Sequence, residues 1–207
     1  MTPPETAIAR TNSGRGDPIP VAARWRSHVD MYNGEALIVL GDLHATAVSA
    51  DETAHVIVAG TLIARSVWSE GNVLAGDVDA QLVYGSYQAG TLGVSGTLRA
   101  CLVVNTMHGF DAGAIEAGFV FDGDTGFLSP QDEQQLHELA TRVPQSVVRA
   151  DGQGSDMVGR VDMRELIRHV NAGGSPSPEG SAPLVDEGQA INTIDSPAGL
   201  HRGVIAG

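Results

Sequence analysis

A short pattern occurs four times in this chain and constrains its fold more than any other feature: glycine, a polar residue, Leu or Val, a variable residue, and alanine. The copies begin at Gly41, Gly60, Gly76 and Gly96, at intervals of 19, 16 and 20 residues. Recurrence at about one coil length, in a stretch rich in β-branched residues, is typical of a β-solenoid. We therefore expect a mainly β fold, a short β-solenoid (β-helix) of about four to five coils.

Aligning the copies on their glycine places similar residues in each column. Residues two apart on a strand point to the same side, so apolar columns at even offsets predict a common interior. A further valine column seven residues after the glycine changes the phase and predicts a corner. The predicted interior columns are Val39, Val58, Leu74 and Val94; Leu43, Leu62, Val78 and Leu98; Ala45, Ala64, Ala80 and Ala100; and Val48, Val67, Val83 and Val103.

An apolar strip is also expected on the outside of the solenoid, just before each glycine. Ile38, Leu40, Ile57 and Val73 form it in the alignment. A strand that is apolar on both faces is usually covered on both faces. We expect either the chain's own helices or a partner to cover this strip.

The coils differ in length after the valine column, in segments 49–55, 68–71 and 84–91. Insertions in repeat proteins gather on one face, and that face often binds a partner. Aromatic and acidic residues are concentrated in these segments and in the one that follows residue 104. The alternative is that the aromatic side chains close the coil corners. The predicted partner-binding residues are Trp68, Tyr84, Tyr87, His108, Phe110, Asp51, Glu52 and Glu70.

The charge of the chain limits the partners it can have. It has 12 basic and 25 acidic residues, a formal net charge of −13 at pH 7. Direct binding of nucleic acid or of an anionic membrane needs a basic patch, so both are disfavoured. An acidic surface steers a basic protein partner, although plain solubility also explains the charge. No apolar run approaches the ~20 residues of a membrane span.

No sequence motif predicts a catalytic, metal or cofactor site. Cys101 is the only cysteine, and no histidine pair has zinc-ligand spacing. The hexapeptide phase of β-helix acyltransferases is absent, and Asp122-Gly123-Asp124 lacks the later ligands of a calcium loop. We predict a protein that is not an enzyme, with an acyltransferase-like β-helix enzyme as the alternative. A single cysteine and an N-terminus without an apolar segment predict a cytoplasmic location.

Four regions are expected along the chain. We predict a disordered N-terminal arm at 1–20, the solenoid with an N-terminal cap at 21–128, a helical cap at 129–172, and a flexible tail at 173–207. Ser129 before Pro130 has the pattern of a helix N-cap, and Asp162 begins a second, similar segment. Both segments have apolar residues at helical spacing, so two amphipathic helices should pack on the solenoid or cap it.

The coil pattern Val73-Leu74-Ala75-Gly76-Asp77-Val78-Asp79-Ala80 resembles that of bactofilins, the polymer-forming cytoskeletal β-helix proteins of bacteria. This resemblance implies a scaffold that assembles by stacking coil edges. The chain departs from the family in its longer, uneven corners, its corner aromatics and its two later helices. Helices that capped the end would block such stacking.

The stretch 84–92, with the later Met107-His108, is similar to uncharacterised bacterial β-solenoid proteins, some of which accompany secreted toxins. That similarity implies an immunity (toxin-neutralising) role. We therefore predict a non-enzymatic protein-binding module, whose partner is a basic toxin or another copy of the chain. The corner aromatics would anchor the partner, the acids would steer it, and the corners would occlude its active site. The bactofilin-like scaffold remains the alternative.

Overall fold

The computed structural model describes residues 7–11, 19–22, 26–123, 129–150 and 156–178. Strands β4 to β9 form a parallel β-solenoid of about 5 turns, followed by two helices, which confirms the predicted fold class. The elements in chain order are β1 (Ala7–Thr11), β2 (Ile19–Ala22), β3 (Arg26–Met31), β4 (Ala36–Val39), β5 (Leu43–Ala50), β6 (His55–Ser69), β7 (Asn72–Ser86), β8 (Thr91–Thr106), β9 (Gly109–Gly123), α1 (Pro130–Arg142), a 3-10 turn (Gln145–Val147), β10 (Met157–Val158), β11 (Val161–Asp162) and α2 (Met163–Asn171).

Each full coil is one long strand that bends twice, so the solenoid has three sides. In β6 the pairing with β7 runs through 55–58, 61–64 and 66–69, which we call the first, second and third sides. The repeated glycines lie at the bend between the first and second sides, which we call the glycine corner. Short turns join the third side of one coil to the first side of the next, and we call their stack the turn corner.

The stacking register confirms the three columns that follow the glycine. Leu62, Ala64 and Val67, for example, pair with Val78, Ala80 and Val83 of the next coil. These side chains point inward and form one continuous apolar core. The core therefore arises from period-2 alternation within each side, repeated in every coil.

The prediction for the column two residues before the glycine is wrong for its third member, Leu74. Val58 pairs with Ala75 rather than with Leu74, because a single residue, Gly76, takes the place of two at that corner. Leu74 therefore points outward and is 42% exposed, whereas Val73, predicted on the outer strip, is fully buried. The glycine-based alignment missed this deletion of one residue.

Carboxylates brace the glycine corner between coils. Asp42 Oδ1 accepts a hydrogen bond from the Thr61 backbone N–H at 2.8 Å, and Asp77 does the same for Thr97 at 2.8 Å. A Cβ atom on Gly60 would lie 2.3 Å from Asp42 Oδ1, so only glycine fits there. Asp and Thr therefore alternate after successive glycines because the coils work in pairs. The Thr coil donates its backbone N–H, and the carboxylate of the preceding Asp coil accepts it.

The two helices form where their sequence predicts them. In α1, Ser129 Oγ accepts from the Asp132 N–H at 3.2 Å, and Asp132 Oδ2 accepts from the Ser129 N–H at 2.7 Å, which completes a capping box. In α2, Asp162 Oδ1 accepts from the Glu165 N–H at 3.0 Å. Each cap satisfies an N–H that the helix itself leaves without a partner.

Both helices pack on the outer surface of the third side, where they bury a second apolar cluster. Packing on the solenoid was one of the two predicted arrangements, and the helices do not cover the predicted outer strip, which lies on the first side. The third side attracts them because its outward residues are large and apolar in three successive coils. The cluster includes Leu82, Tyr84, Leu102, Val104 and Phe121 of the solenoid, and Leu136, Leu139, Leu166, Ile167 and Val170 of the helices.

Strands also occur in part of the predicted disordered arm. The backbone of β1 pairs antiparallel with β2 and with β4, and β3 pairs parallel with β5. These pairings occupy the edge of the first coil, so strand is present in Ala7–Thr11 and in the first two residues of Ile19–Ala22, where disorder was expected. The rest of the arm, the continuation of the Asp122 segment past residue 123 and the tail beyond residue 178 lie outside the described residues.

Candidate functional site

The turn corner brings together most of the predicted partner-binding residues. Its turns occupy 32–35, 51–54, 70–71, 87–90 and 107–108, between successive strands. Backbone hydrogen bonds join neighbouring turns, for example from the Thr91 N–H to the Gly71 carbonyl at 3.0 Å. The uneven corners predicted from segment length are therefore stacked into one continuous surface.

Left-handed backbone marks this corner. Among the described residues, the non-glycine positions with positive φ are Asn33 at 54°, Tyr87 at 84° and Met107 at 57°, and all three lie in these turns. Asparagine tolerates this conformation, but tyrosine and methionine rarely adopt it. The Tyr87 and Met107 side chains are 46% and 37% exposed. Tyr87 and Met107 thus have backbone conformations that favour glycine, and their mainly apolar side chains are exposed to solvent.

Carboxylates lie close to the Tyr87 side chain. The Tyr87 hydroxyl hydrogen-bonds to the exposed carboxylate of Glu52, and this bond raises the pKa of Tyr87. Burial raises the pKa of the half-buried Glu70, and the nearby carboxylate of Asp156 raises it further. Asp156 also forms an ion pair with Arg164, at 3.1 Å. The surface therefore presents negative charge beside an aromatic ring.

Asp51 has a structural role in the same corner. Its carboxylate accepts hydrogen bonds from the backbone N–H of Asn33 at 2.9 Å and of Thr53 at 3.0 Å, and from the Thr53 hydroxyl at 2.9 Å. Burial opposes ionisation of Asp51, but these backbone bonds outweigh it and hold the pKa of Asp51 below its ordinary value. Asp51 therefore ties two successive turns together.

A buried polar network fills the interior of the turn corner. His108 Nδ1 lies 2.9 Å from the Tyr87 carbonyl, and His108 Nε2 lies 3.0 Å from Ser69 Oγ. Burial lowers the pKa of His108, so the ring is neutral and only one of its nitrogens donates. Because the Tyr87 carbonyl can only accept, we assign the proton to Nδ1, which leaves Nε2 as an acceptor. The single Ser69 hydroxyl proton then lies between two acceptors, His108 Nε2 and the Gly71 carbonyl, each 3.0 Å from Ser69 Oγ. Asn105 Nδ2 extends the network to the His108 carbonyl at 3.0 Å and to Asp122 at 2.7 Å.

The Ser69–His108 pair has the contact geometry of a nucleophile and its base, but it is sealed from solvent. Ser69 is 0% exposed and His108 is 6% exposed. Bare glycines make room for the ring: a Cβ on Gly90 would lie 2.3 Å from His108 Cε1, and one on Gly85 would lie 3.0 Å from His108 Cδ2. The pair therefore serves the packing of the corner. Sequence reasoning missed Ser69, since only the coil register brings it to His108.

Besides Asp51, four more of the predicted partner-binding residues are built into the fold. Tyr84 is buried beneath the helices and His108 inside the corner, while Phe110 points inward and packs on the apolar core. Trp68 lies 6.1 Å from Tyr84 between ring centroids, donates from Nε1 to Ser86 Oγ at 3.2 Å and has the Arg164 guanidinium 5.9 Å from its ring. Trp68 thus supports the helical layer. Tyr87, Glu52 and Glu70 remain at the corner surface, and Met107 joins them.

In the part of the chain that the structure describes, the outer strip has Leu74 in place of the buried Val73, and it is exposed at three positions. Leu40, Ile57 and Leu74 are 70%, 37% and 42% exposed. Ile57 and Leu74 line a shallow groove of about 400 Å³ with Gly93 and Asp111. The expected cover of this strip is not supplied by the two helices.

Within the described ranges, no group of three or more His, Cys, Asp or Glu side chains is placed to hold a metal ion. Neither described helix has the length and apolar character needed to cross a membrane.

The sequence matches no protein-family model, no curated protein and no solved structure. The resemblance to bactofilins therefore rests on the repeat pattern alone, and the resemblance to toxin-associated solenoids rests on the stretch 84–92 with Met107-His108. Any assignment of function has to come from the geometry and the charge of the surfaces described above.

Proposed function

We propose that this protein is a non-enzymatic binding module whose turn corner docks a basic protein. The observation that carries the proposal is the left-handed backbone of Tyr87 and Met107, two residues with exposed side chains. Such backbone costs about 1–2 kcal/mol per non-glycine residue and tends to persist at functional sites. A turn selected for folding alone would carry glycine at these positions.

The composition of the surface supports a protein as the ligand. Tyr87 provides a rigid ring with a polar tip, and Met107 provides an adaptable apolar side chain, both of which are favoured at protein interfaces. The surface follows the stacked turns along one corner of the solenoid, and such an extended surface suits another macromolecule better than a small molecule, which needs a concave site. Its aromatic and aliphatic groups would form the centre of the contact.

The charge of the surface supports a basic partner. Glu52 and Glu70 lie beside Tyr87, and the whole chain has a net charge of −13. Burial and a neighbouring carboxylate raise the pKa of Glu70, so a cation bound there would relieve repulsion that the unbound protein carries. A secreted toxin that is neutralised by occlusion is the specific form of this partner that we propose. That form rests on the resemblance described from sequence.

The test is a capture experiment with immobilised full-length protein and lysate of the producing cells. We expect a basic protein to be retained by the native chain, lost with the double variant Tyr87→Gly and Met107→Gly, and released by salt. The matched control is Leu40→Ser, which removes an exposed apolar side chain from the first side. Retention by the corner variant, or loss with the control alone, would place the binding surface elsewhere and refute the proposal.

A bactofilin-like scaffold is the second candidate, because β9 has β8 as a neighbour on one edge and no paired strand on the other among the described residues. Assembly by coil stacking would need this open edge. Electron microscopy of the purified protein over a concentration series distinguishes the two candidates. Filaments would favour the scaffold, and small discrete particles at every concentration would count against it.

A further inference from the structure

The two ends of the solenoid differ in whether further strands pair with the edge of the terminal coil. At the N-terminal end, β1 pairs with β4 and β3 pairs with β5, so added strands occupy the edge of the first coil. Beyond β1 lies β2, which is 4 residues long and contains Pro20. Short strands and proline are devices that blunt a sheet edge against further pairing.

The C-terminal end has no comparable cover in the described parts of the chain. β9 is 15 residues long and is the last strand of its sheet. Its inward Ile115 is 42% exposed, whereas its ladder neighbour Leu98 is fully buried. The α1 helix approaches β9 from the outside of the third side, with the Arg142 guanidinium 5.7 Å from the Phe119 ring. Among the described residues, a long edge without a paired strand and the end of the apolar core are therefore exposed together.

The charges at this end decide between possible occupants. β9 has three acidic residues, Asp111, Glu116 and Asp122, one on each side of the coil, and no Lys or Arg. Arg99 of β8 pairs with Glu116, at 3.0 Å between Nε and Oε2. The ladder position of Asp122 matches the inward Asn105, so its carboxylate lies at the open end of the core.

Neither a second copy nor the chain's own C-terminal segment complements these acids. A second copy joined through the same end would bring another three carboxylates against the first three, and like charges on neighbouring strands are destabilising. The opposite end of a second copy already has the edge of β4 paired with β1, and β1 paired with β2. The segment 179–207 contains four acidic residues and one basic residue, Arg202, so it is acidic as well. The complementary occupant is an extended, basic segment of another protein.

We propose that the open edge of β9 binds such a segment by β-augmentation, as an added strand of the last coil. Backbone hydrogen bonds to the unpaired edge would hold it, since an extended peptide satisfies an exposed strand edge along its length. Alternate side chains would lie over Ile115 and the end of the core, while Lys or Arg would reach Glu116 and Asp111. This site is separate from the turn corner and shares with it only the basic character of the partner.

The probe is a synthetic peptide in which Lys and Thr alternate with Val, compared with the same peptide carrying Glu for Lys. A third peptide carries proline at alternate positions and cannot form a strand ladder. The full-length protein is titrated with each labelled peptide by fluorescence anisotropy at low salt. Hydrogen–deuterium exchange then locates the binding. We expect the basic peptide alone to bind, and to slow exchange in 109–123 without affecting 55–58.

The matched variants are Asp111→Asn with Glu116→Gln at the open end, and Asp30→Asn at the covered end, where Asp30 is also exposed. Two lost charge contacts should weaken binding by about tenfold at low salt, and the control should leave it unchanged. Equal binding of the acidic peptide, protection outside β9, or a dimer or filament that protects β9 without peptide would overturn the proposal. The Tyr87→Gly variant should bind the peptide normally, so failure of the corner proposal would not affect this result.

Discussion

The glycine corner and the turn corner belong to the same coils but solve the problem of a sharp bend in opposite ways. At the glycine corner, Gly60 packs against the neighbouring coil, and Asp42 and Asp77 satisfy the N–H groups that the bend leaves without a ladder partner. At the turn corner, Tyr87 and Met107 occupy left-handed backbone and expose their side chains. Glycine is available there too, since Gly71 and Gly90 sit against backbone carbonyls in the same turns.

The residues of the glycine corner are explained by the stability of the fold. Tyr87 and Met107 of the turn corner are not, and they need another explanation. Local rules of sequence and structure agree throughout the glycine corner and disagree at two positions of the turn corner. Natural proteins break such rules chiefly at functional sites. Substitutions at the glycine corner should show that it tolerates no added side chain. Substitutions at the turn corner should show that its left-handed backbone lowers stability.

The largest effect should come from Gly60→Ala at the glycine corner. Its Cβ would lie 2.3 Å from Asp42 Oδ1 and 2.9 Å from backbone atoms of Gly41, so the carboxylate that caps Thr61 must move. We expect a loss of about 3 kcal/mol in the free energy of unfolding, measured by denaturant titration. The control is Gly93→Ala, whose Cβ would meet only the flexible end of Leu74. Equal losses for the two variants would contradict the argument.

The pH dependence of stability should reveal His108 at the heart of the turn corner. Burial lowers the pKa of His108 in the folded state, so the unfolded chain binds its proton more readily. Stability is therefore complete above about pH 6.5, the ordinary value for histidine, and falls as pH drops below it, by at most about 1.4 kcal/mol per pH unit. Unfolding of the native chain and of His108→Asn is compared at pH 7.5 and 5.5. The same slope in both proteins would exclude His108 as its source.

A smaller loss than that of Gly60→Ala is expected from Asp77→Ala, which removes the carboxylate that accepts from the Thr97 N–H at 2.8 Å. The N–H is part-buried and would lack a partner, so we expect a loss of about 1–2 kcal/mol in the free energy of unfolding. Asp79→Ala is the control, since Asp79 lies two residues further on, at an outward position of the second side. A loss confined to Asp77→Ala confirms the brace, and equal values would refute it.

The predictability of each region follows from how local its determinants are. The columns after the glycine follow from period-2 alternation, and both helices follow from their caps, so sequence predicted them. Leu74 was wrongly predicted to point inward because this coil has one residue fewer at the glycine corner, and only the pairing of the coils reveals the difference. The Ser69–His108 contact likewise depends on register across 39 residues. The left-handed backbone of Tyr87 was not predictable, since its residue type argues against it.

The sharpest test of the comparison is Tyr87→Gly, whose effect should be the smallest and opposite in sign. Glycine adopts a φ of 84° without strain and keeps the carbonyl that accepts from His108 Nδ1, so the free energy of unfolding should rise by about 1 kcal/mol. Gln88→Gly is the matched control: Gln88 is the next residue and has no left-handed backbone, so glycine there should lower stability by about 0.5–1 kcal/mol.

If the free energy of unfolding rises with Tyr87→Gly and falls with Gln88→Gly, then the tyrosine at position 87 lowers the stability of the folded chain. A loss of partner capture in the same Tyr87→Gly protein would then identify what it is retained for. If Tyr87→Gly instead destabilised the chain as much as Gln88→Gly, the ring and its hydrogen bond to Glu52 would be part of what holds the turns together. The turn corner would then differ from the glycine corner in shape alone, and the case for a binding surface there would fail.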